Sequence, residues 1–323
     1  MIEKNIREYA RQFAYEPQVK NAEKLGNFEA IVIGGMGGSG LIAGILRAVK
    51  PGLDVAAHHE YGLPQFIDRD TEKRLFIAIS HSGNTEEVVD FCKTAIKKGF
   101  QTAVISAKGK LLELAKKKNL PYIDLPGDEV QPRMTLGYML RAVLKLIGEE
   151  DLYIEAGKLV NNLKPTEYKG RGRELSEALF GKVPVIYASR SNQILAYNWK
   201  IKFNETGKVP AFYNTFPELN HNEIQGFNIQ SDNQALSERM YFIFLEDDED
   251  HPRIRERMKI TADMYGDFGL LVERVKIDGK TKLEKIFNTI ILGDWTAYYT
   301  ALQYHAEPES VPTIEKFKET LGA

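Results

Sequence analysis

The sequence predicts an α/β protein built as two doubly wound, flavodoxin-like subdomains, each a parallel sheet with helices on both faces. Three observations carry this expectation. Short runs of apolar, β-branched residues alternate with segments of helical apolar spacing, the pattern of parallel strands joined by crossover helices. The alternation fills the first half, stops in a polar stretch, and then begins again. At 323 residues the chain has length for two domains at ~150 residues each.

The elements follow in order. Ala30 to Ile33 is a strand that breaks into GGMGGSG, after which Leu41 to Val49 has helical spacing. Arg74 to Ile79 (RLFIAI) repeats the plan, passing into SHSGNT and a helix from Thr85 to Lys98 that Gly99 ends. Gln101 to Ser106 reads as a strand, Leu111 to Lys118 as a helix, Tyr122 to Leu125 as a strand and Met134 to Ile147 as a helix. From GEED to Arg173 the chain is polar and contains Pro165, which sets the boundary near Asp151 and divides residues 1–150 from 151–323. The second half restarts with a strand at Val183 to Ala188, a helix at Ser191 to Glu205 and a strand at Met240 to Leu245. A helix at Ile254 to Tyr265, a strand at Leu270 to Ile277 and a long apolar helix at Ile286 to Tyr304 complete it. SRSN stands at the strand-to-helix turn that GGMGGSG occupies in the first half, and EDDED at Glu246 to Asp250 reads as a solvated loop.

Composition narrows the function classes. The chain is 43% apolar and 27% charged, ordinary for a soluble globular protein. Its formal charge of -2, with both signs mixed along the chain, offers no electrostatic track for nucleic acid or a membrane surface, so a small ligand is expected. The single cysteine, Cys92, excludes an intrachain disulfide and a thiolate-rich metal site, and reads as a small buried hydrophobe. Met1 to Phe13 is charged throughout and lacks the apolar core of a signal peptide, and no later stretch reaches ~20 apolar residues. The expected location is the cytoplasm.

In an open parallel sheet, ligands bind beyond the carboxyl ends of the strands, where both distinctive loops fall. SHSGNT offers the hydroxyls of Ser80, Ser82 and Thr85, with Gly83 to turn the backbone at a helix start. GGMGGSG adds the amides of Gly37 and Gly38 and the hydroxyl of Ser39, again at a helix start. Exposed amides and the helix dipole favour an anion there. No GKS or GKT is present, so a nucleoside triphosphate loop is unsupported. Gly35, Gly37 and Gly40 have a GxGxxG-like spacing, a weak dinucleotide signal, but three hydroxyls on the neighbouring strand end suit a phosphomonoester better. Either loop alone is also explained by caps and turns.

SHSGNTEE after an apolar strand, paired with GGMGGSG after the preceding one, resembles the sugar isomerase (SIS) domain of phosphosugar isomerases, glucosamine-6-phosphate synthase and sugar-phosphate-sensing regulators. The resemblance implies phosphate binding by Ser39, Ser80, Ser82 and Thr85. His81, between two of them, is read as a loop residue.

Moving a proton between carbons 1 and 2 of a sugar phosphate needs one base that reaches both carbons and a second group for the ring oxygen. Glu205 ends a helix in NETGK, where Gly207 is expected to cap the helix; the negative helix end should raise the carboxyl pKa towards that of a useful base. The same position also suits a solvent-exposed glutamate. His221 lies in the polar loop PELNHNEIQG and can shuttle a proton near neutrality, or be a hydrogen-bonded loop histidine.

NETGKVPAF followed by PELNHNE, with QPR before a helix in the first half and EPESVPTIEKFK near the C-terminus, resembles the bifunctional phosphoglucose/phosphomannose isomerases over essentially the whole chain. The resemblance implies Glu205 as the base, His221 as the ring-opening residue, Arg133 of QPR steadying the enediolate, and Lys318 contacting the ring or its opened oxygen. It implies hexose 6-phosphate substrates and a homodimer in which His221 reaches the site across the interface. Lys316 competes with Lys318, and Glu218 and Glu223 both flank His221. No cofactor is expected, and no metal, since the histidines show no ligand spacing. Two rivals stand beside this expectation. Amide transfer to fructose 6-phosphate needs an ammonia source and glutaminase half that the chain lacks. A non-catalytic sugar-phosphate sensor would carry a helix-turn-helix segment, for which the stretch before Ala30 is short.

Overall fold

The computed structural model describes residues 1–65, 73–127, 130–227 and 232–322. It contains two compact units, one comprising Glu3–Asn162 with the C-terminal stretch from Val311, the other Leu163–Ser310. The division thus falls after Asn162 and not near Asp151, and the last helix belongs with the first half. The reason lies in residues 150–162, whose polar sequence hides a helix that buries Ala156 and Leu159 and packs on the preceding helix and the turn Tyr9–Ala14. A stripe of two small-to-medium apolar residues suffices to dock it.

After α1 (Ile2–Arg7), the first unit runs β1 (Ala30–Gly34), α2 (Gly37–Val49), β2 (Val55–His58), β3 (Arg74–Ile79), α3 (Glu86–Lys97), β4 (Thr102–Ser106), α4 (Gly109–Lys118), β5 (Tyr122–Asp124), α5 (Leu136–Ile147) and α6 (Glu150–Asn162). Its sheet is parallel, in the order β2-β1-β3-β4-β5. Side chains alternate across a sheet, and Val32, Phe76, Ala78 and Val104 accordingly pack with α3 and α4 in one apolar cluster. Ile31, Ile33, Ile77 and Ile79 are equally buried and point the other way. Cys92 sits inside the α3 cluster, and burial pushes its thiol up to about 12, so it is the inert hydrophobe its surroundings imply.

The second unit runs α7 (Lys169–Ala178), β6 (Val183–Ser189), α8 (Gln193–Glu205), β7 (Phe212–Phe216), α9 (Glu223–Gly226), α10 (Gln234–Ser237), β8 (Met240–Glu246), α11 (Pro252–Asp267), β9 (Leu271–Lys276) and α12 (Lys282–Gln303). Its sheet is parallel in the order β7-β6-β8-β9, the first unit's order without its last strand. Tyr187, Phe216, Phe242, Phe244 and Tyr265 form an aromatic core on one side. α8 packs on β6 and on α12. The final helix, α13 (Pro312–Leu321), buries none of its residues.

In the first unit the chain goes from β1 outwards to β2 and then crosses to β3 on the other side. The order reverses between β1 and β3, and Gly34 pairs with Ala78, so the two following loops leave neighbouring strand ends. That is the crevice where open α/β sheets bind ligands.

Candidate active site

α2 starts at Gly37, earlier than the apolar spacing from Leu41 suggests, with Met36 at the N-cap and no side-chain cap. The amides of Gly37, Gly38 and Ser39 therefore lie in the first turn, where a helix has no acceptors of its own. Gly37 takes φ +52, a left-handed turn that aims this stretch into the helix. α3 starts at Glu86 with Thr85 at the N-cap, again without a side-chain cap. Two helix N-termini thus open at the crevice, each a favourable place for an anion.

Ser80, Ser82 and Thr85 converge. Ser80 Oγ is 2.8 Å from Thr85 Oγ1 and 3.4 Å from Ser82 Oγ, and it accepts from the Gly83 amide at 3.2 Å. The turn requires glycine, because Gly83 has φ +69 and a Cβ there would lie 1.6 Å from the Lys108 carbonyl oxygen. Ser106 Oγ braces it from β4, 2.7 Å from Ser80 O and 2.9 Å from Lys108 O. His81 is buried, with Nε2 3.1 Å from the Pro126 carbonyl, which ties the loop to the next one rather than presenting the ring to a ligand.

Arg133 is buried in the short turn Pro132–Met134, whose backbone packs on the first turn of α2: a Cβ on Gly38 would lie 3.6 Å from Arg133 Cα. The first unit therefore brings Gly37, Gly38, Ser39 and Arg133 together beside the Ser80, Ser82 and Thr85 loop. Lys318 is exposed on α13, as is Lys316.

In the second unit Glu205 is the last residue of α8 and half-buried. The expected glycine cap differs in detail. The amides of Thr206 and Gly207 both donate to Lys202 O, and the left-handed residue is Lys208, with φ +59. Gly207 instead serves close approach, since a Cβ there would lie 2.8 Å from Phe203 O. A lysine in this conformation costs about 1–3 kcal/mol. Its ammonium compensates: Lys208 Nζ donates to Glu205 O at 2.6 Å and also to Ser310 O. The negative end of α8 is thus met by a cation beside the candidate base. One turn back, Lys202 Nζ pairs with Asp294 of α12 at 2.7 Å, with both side chains buried.

His221 is exposed, at the end of the turn Glu218–His221. The loop carrying it is pinned to the sheet through Glu223, whose carboxylate accepts from Tyr187 Oη and Asn214 Nδ2. Glu218 accepts from Asn222 Nδ2 at 2.9 Å, and Asn220 Nδ2 donates to Thr261 Oγ1 at 2.9 Å. Both glutamates are thereby committed elsewhere, and among the described residues no hydrogen bond joins either to His221.

EDDED is solvated only in part: Asp248 and Glu249 are exposed, as expected, but two of its carboxylates are not. Asp247 and Asp250 are buried at the end of β8; Asp247 accepts from Lys282 and Lys285 at 2.7 Å each, and Asn192 Nδ2 donates to Asp247 at 3.2 Å and to Asp250 at 3.3 Å. Burial raises the Asp247 carboxyl, but the two lysines outweigh it and bring it down to about 2. Among the described residues no group of three or more His, Cys, Asp or Glu side chains is placed to hold a metal ion, and no helix is long and apolar enough to cross a membrane.

The profile of the bacterial phospho-glucose isomerase C-terminal SIS domain matches residues 169–321, a span that includes Glu205, His221 and Lys318. The bifunctional phosphoglucose/phosphomannose isomerase of Aquifex aeolicus is 33% identical, over 99% of this chain and 98% of its own length. The chain belongs to the bifunctional phosphoglucose/phosphomannose isomerase family. A further member of that family, from Caldicellulosiruptor bescii, is 35% identical over 93% of this chain and 91% of its own length. A D-glucosamine-6-phosphate 4-epimerase from Sulfolobus acidocaldarius is 32% identical over 68% of this chain and 69% of its own. Among solved structures, the tagatose-6-phosphate ketose/aldose isomerase of Escherichia coli superposes with a TM-score of 0.68 at 15% identity, covering 95% of this chain and 94% of that one. At that identity the likeness shows a shared fold.

Proposed function

We propose that this chain interconverts glucose 6-phosphate and fructose 6-phosphate, and likewise mannose 6-phosphate and fructose 6-phosphate, by proton transfer through a cis-enediolate. The observation that carries the reading is the cluster of Ser80, Ser82 and Thr85 hydroxyls beside the first turn of α2, in a family of hexose phosphate isomerases. In this reading the phosphate accepts from these hydroxyls, from Ser39 and from the amides of Gly37 and Gly38.

His221 moves the proton that opens the ring, and Lys318 contacts the ring oxygen. The Glu205 carboxylate then takes the proton from C2 of the open aldose while the C1 carbonyl oxygen gains one, giving the enediol. Loss of the O2 proton and return of the carried proton to C1 complete the ketose. Arg133 stabilises charge developing on the enediolate oxygens. Return of the proton to C2 on either face yields glucose or mannose phosphate, so one base serves both reactions. The working unit in this reading is a cytoplasmic homodimer with His221 supplied by the partner.

A coupled assay with glucose 6-phosphate and with mannose 6-phosphate, on the parent and on Glu205→Gln, tests the proposal. Turnover of both substrates is expected, with a loss of at least ~100-fold in the variant. Binding of either substrate without turnover in the parent would identify a sensor.

A further inference from the structure

The turn after α8 is built in an unexpected way. A helix that ends in a left-handed residue ordinarily places glycine there. Here glycine stands one position early, at Gly207, and the left-handed position is held by Lys208. Backbone geometry alone would be better served by glycine at 208, so the side chain accounts for the lysine. Its ammonium bridges two carbonyl oxygens, those of Glu205 and Ser310. Ser310 is itself fixed: the Glu307 carboxylate accepts from the amides of Glu309 at 2.7 Å and Ser310 at 2.6 Å, folding residues 307–310 into a tight turn. The carboxyl of Glu307 is shielded slightly by burial, which raises it, but those amides and the nearby Lys208 charge hold it below the usual carboxylate range. A chain of charge-assisted bonds thus runs from Glu307 through the 307–310 turn and Lys208 to the backbone of Glu205.

From this chain we infer that Lys208 is a positioning residue for the base: its ammonium clamps the Glu205 carbonyl, and with it the Cα from which the reactive carboxylate springs, against the 307–310 turn. The inference rests on the reading of Glu205 as the base. Without the clamp, Glu205 sits at a helix end whose last carbonyls have no intrahelical partner, where fraying is the ordinary behaviour. Displacement of a base by about an ångström costs up to ~100-fold in rate.

Three variants test it. Lys208→Gly relaxes the left-handed backbone yet deletes the clamp, Lys208→Met deletes the clamp alone, and Lys208→Arg keeps a cation. The clamp predicts that Lys208→Gly and Lys208→Met both lose ~10–100-fold in kcat with KM for fructose 6-phosphate nearly unchanged, and that Lys208→Arg recovers most of the loss. Tryptophan fluorescence should show Lys208→Gly as stable as the parent or more so, which separates positioning from folding. Parent-like kcat in Lys208→Gly would overturn the inference, and so would a loss in Lys208→Met that Lys208→Gly does not share. Glu205→Gln assayed alongside keeps the two readings apart. If it is active, Glu205 is not the base; if it is inactive while both Lys208 deletions turn over normally, only the clamp fails.

Discussion

The Lys202–Asp294 pair is the anchor of the helix that carries Glu205, and removing half of it should be severe. The two charges are 2.7 Å apart, with side-chain exposures of 1% and 2%, so neither can turn to water when its partner is lost. Lys202→Met would leave a carboxylate buried against a methionine, a change that costs about 3–5 kcal/mol. Replacing both groups, as Lys202→Met with Asp294→Leu, removes the stranded charge and should recover most of that loss. Both tryptophans, Trp199 and Trp295, lie in the second unit, so their fluorescence reports its unfolding alone. Each is fixed by its indole N–H, to Thr289 O at 2.9 Å and to Pro165 O at 2.7 Å. With m of about 2 kcal/mol/M in urea, a loss of 4 kcal/mol moves the midpoint down by about 2 M. A midpoint within a few tenths molar of the parent would refute the reasoning, as would a double variant no more stable than the single one.

The remaining predictions concern the phosphate loop and the acidic cluster. Ser80→Ala deletes the hydroxyl on which Thr85 and the Gly83 amide converge. It should raise KM for hexose 6-phosphates ~10–100-fold, the worth of a charge-assisted hydrogen bond, with a much smaller change in kcat; initial-rate kinetics decide. Burial raises the Asp247 carboxyl, but Lys282 and Lys285 bring it down to about 2 in the folded chain, against 3.8 for an unperturbed aspartate. A depressed folded pKa supplies stability that is present above pH 4 and lost as pH falls from about 4 to 2. Asp247→Asn should therefore be less stable than the parent at pH 7, and the gap should close across that window in urea titrations followed by tryptophan fluorescence.

How much of this was legible in the sequence depended on how local the physics is. β1, β3, β4 and β8 announce themselves because buried parallel strands are continuous apolar runs, as in AIVIG, RLFIAI, TAVIS and MYFIFLE. β7 does not: FYNTF is an edge strand with Phe212 exposed, so its residues answer to two environments and the run reads as mixed. The polar run at 150–162 hides a helix for a similar reason, since only Ala156 and Leu159 need be apolar. The hydroxyl loop was readable because its glycine, serines and threonine act within six residues. The buried part of EDDED has no local signal, because the burial of Asp247 depends on Lys282 and Lys285, more than thirty positions away. Lys208 carried no local signal at all, since a lysine after NETG is ordinary until its ammonium is seen on two carbonyls.

The central claim is that one carboxylate lifts a hydrogen from a sugar carbon and sets it down on the next. Glucose 6-phosphate incubated with the protein in deuterium oxide and followed by proton NMR tests this most directly. Deuterium is expected at C2 of glucose 6-phosphate and C1 of fructose 6-phosphate from those turnovers in which the protonated base exchanges with solvent before delivering its proton, and neither labelling nor interconversion is expected with Glu205→Gln. Undiminished interconversion or undiminished labelling in that variant would contradict it.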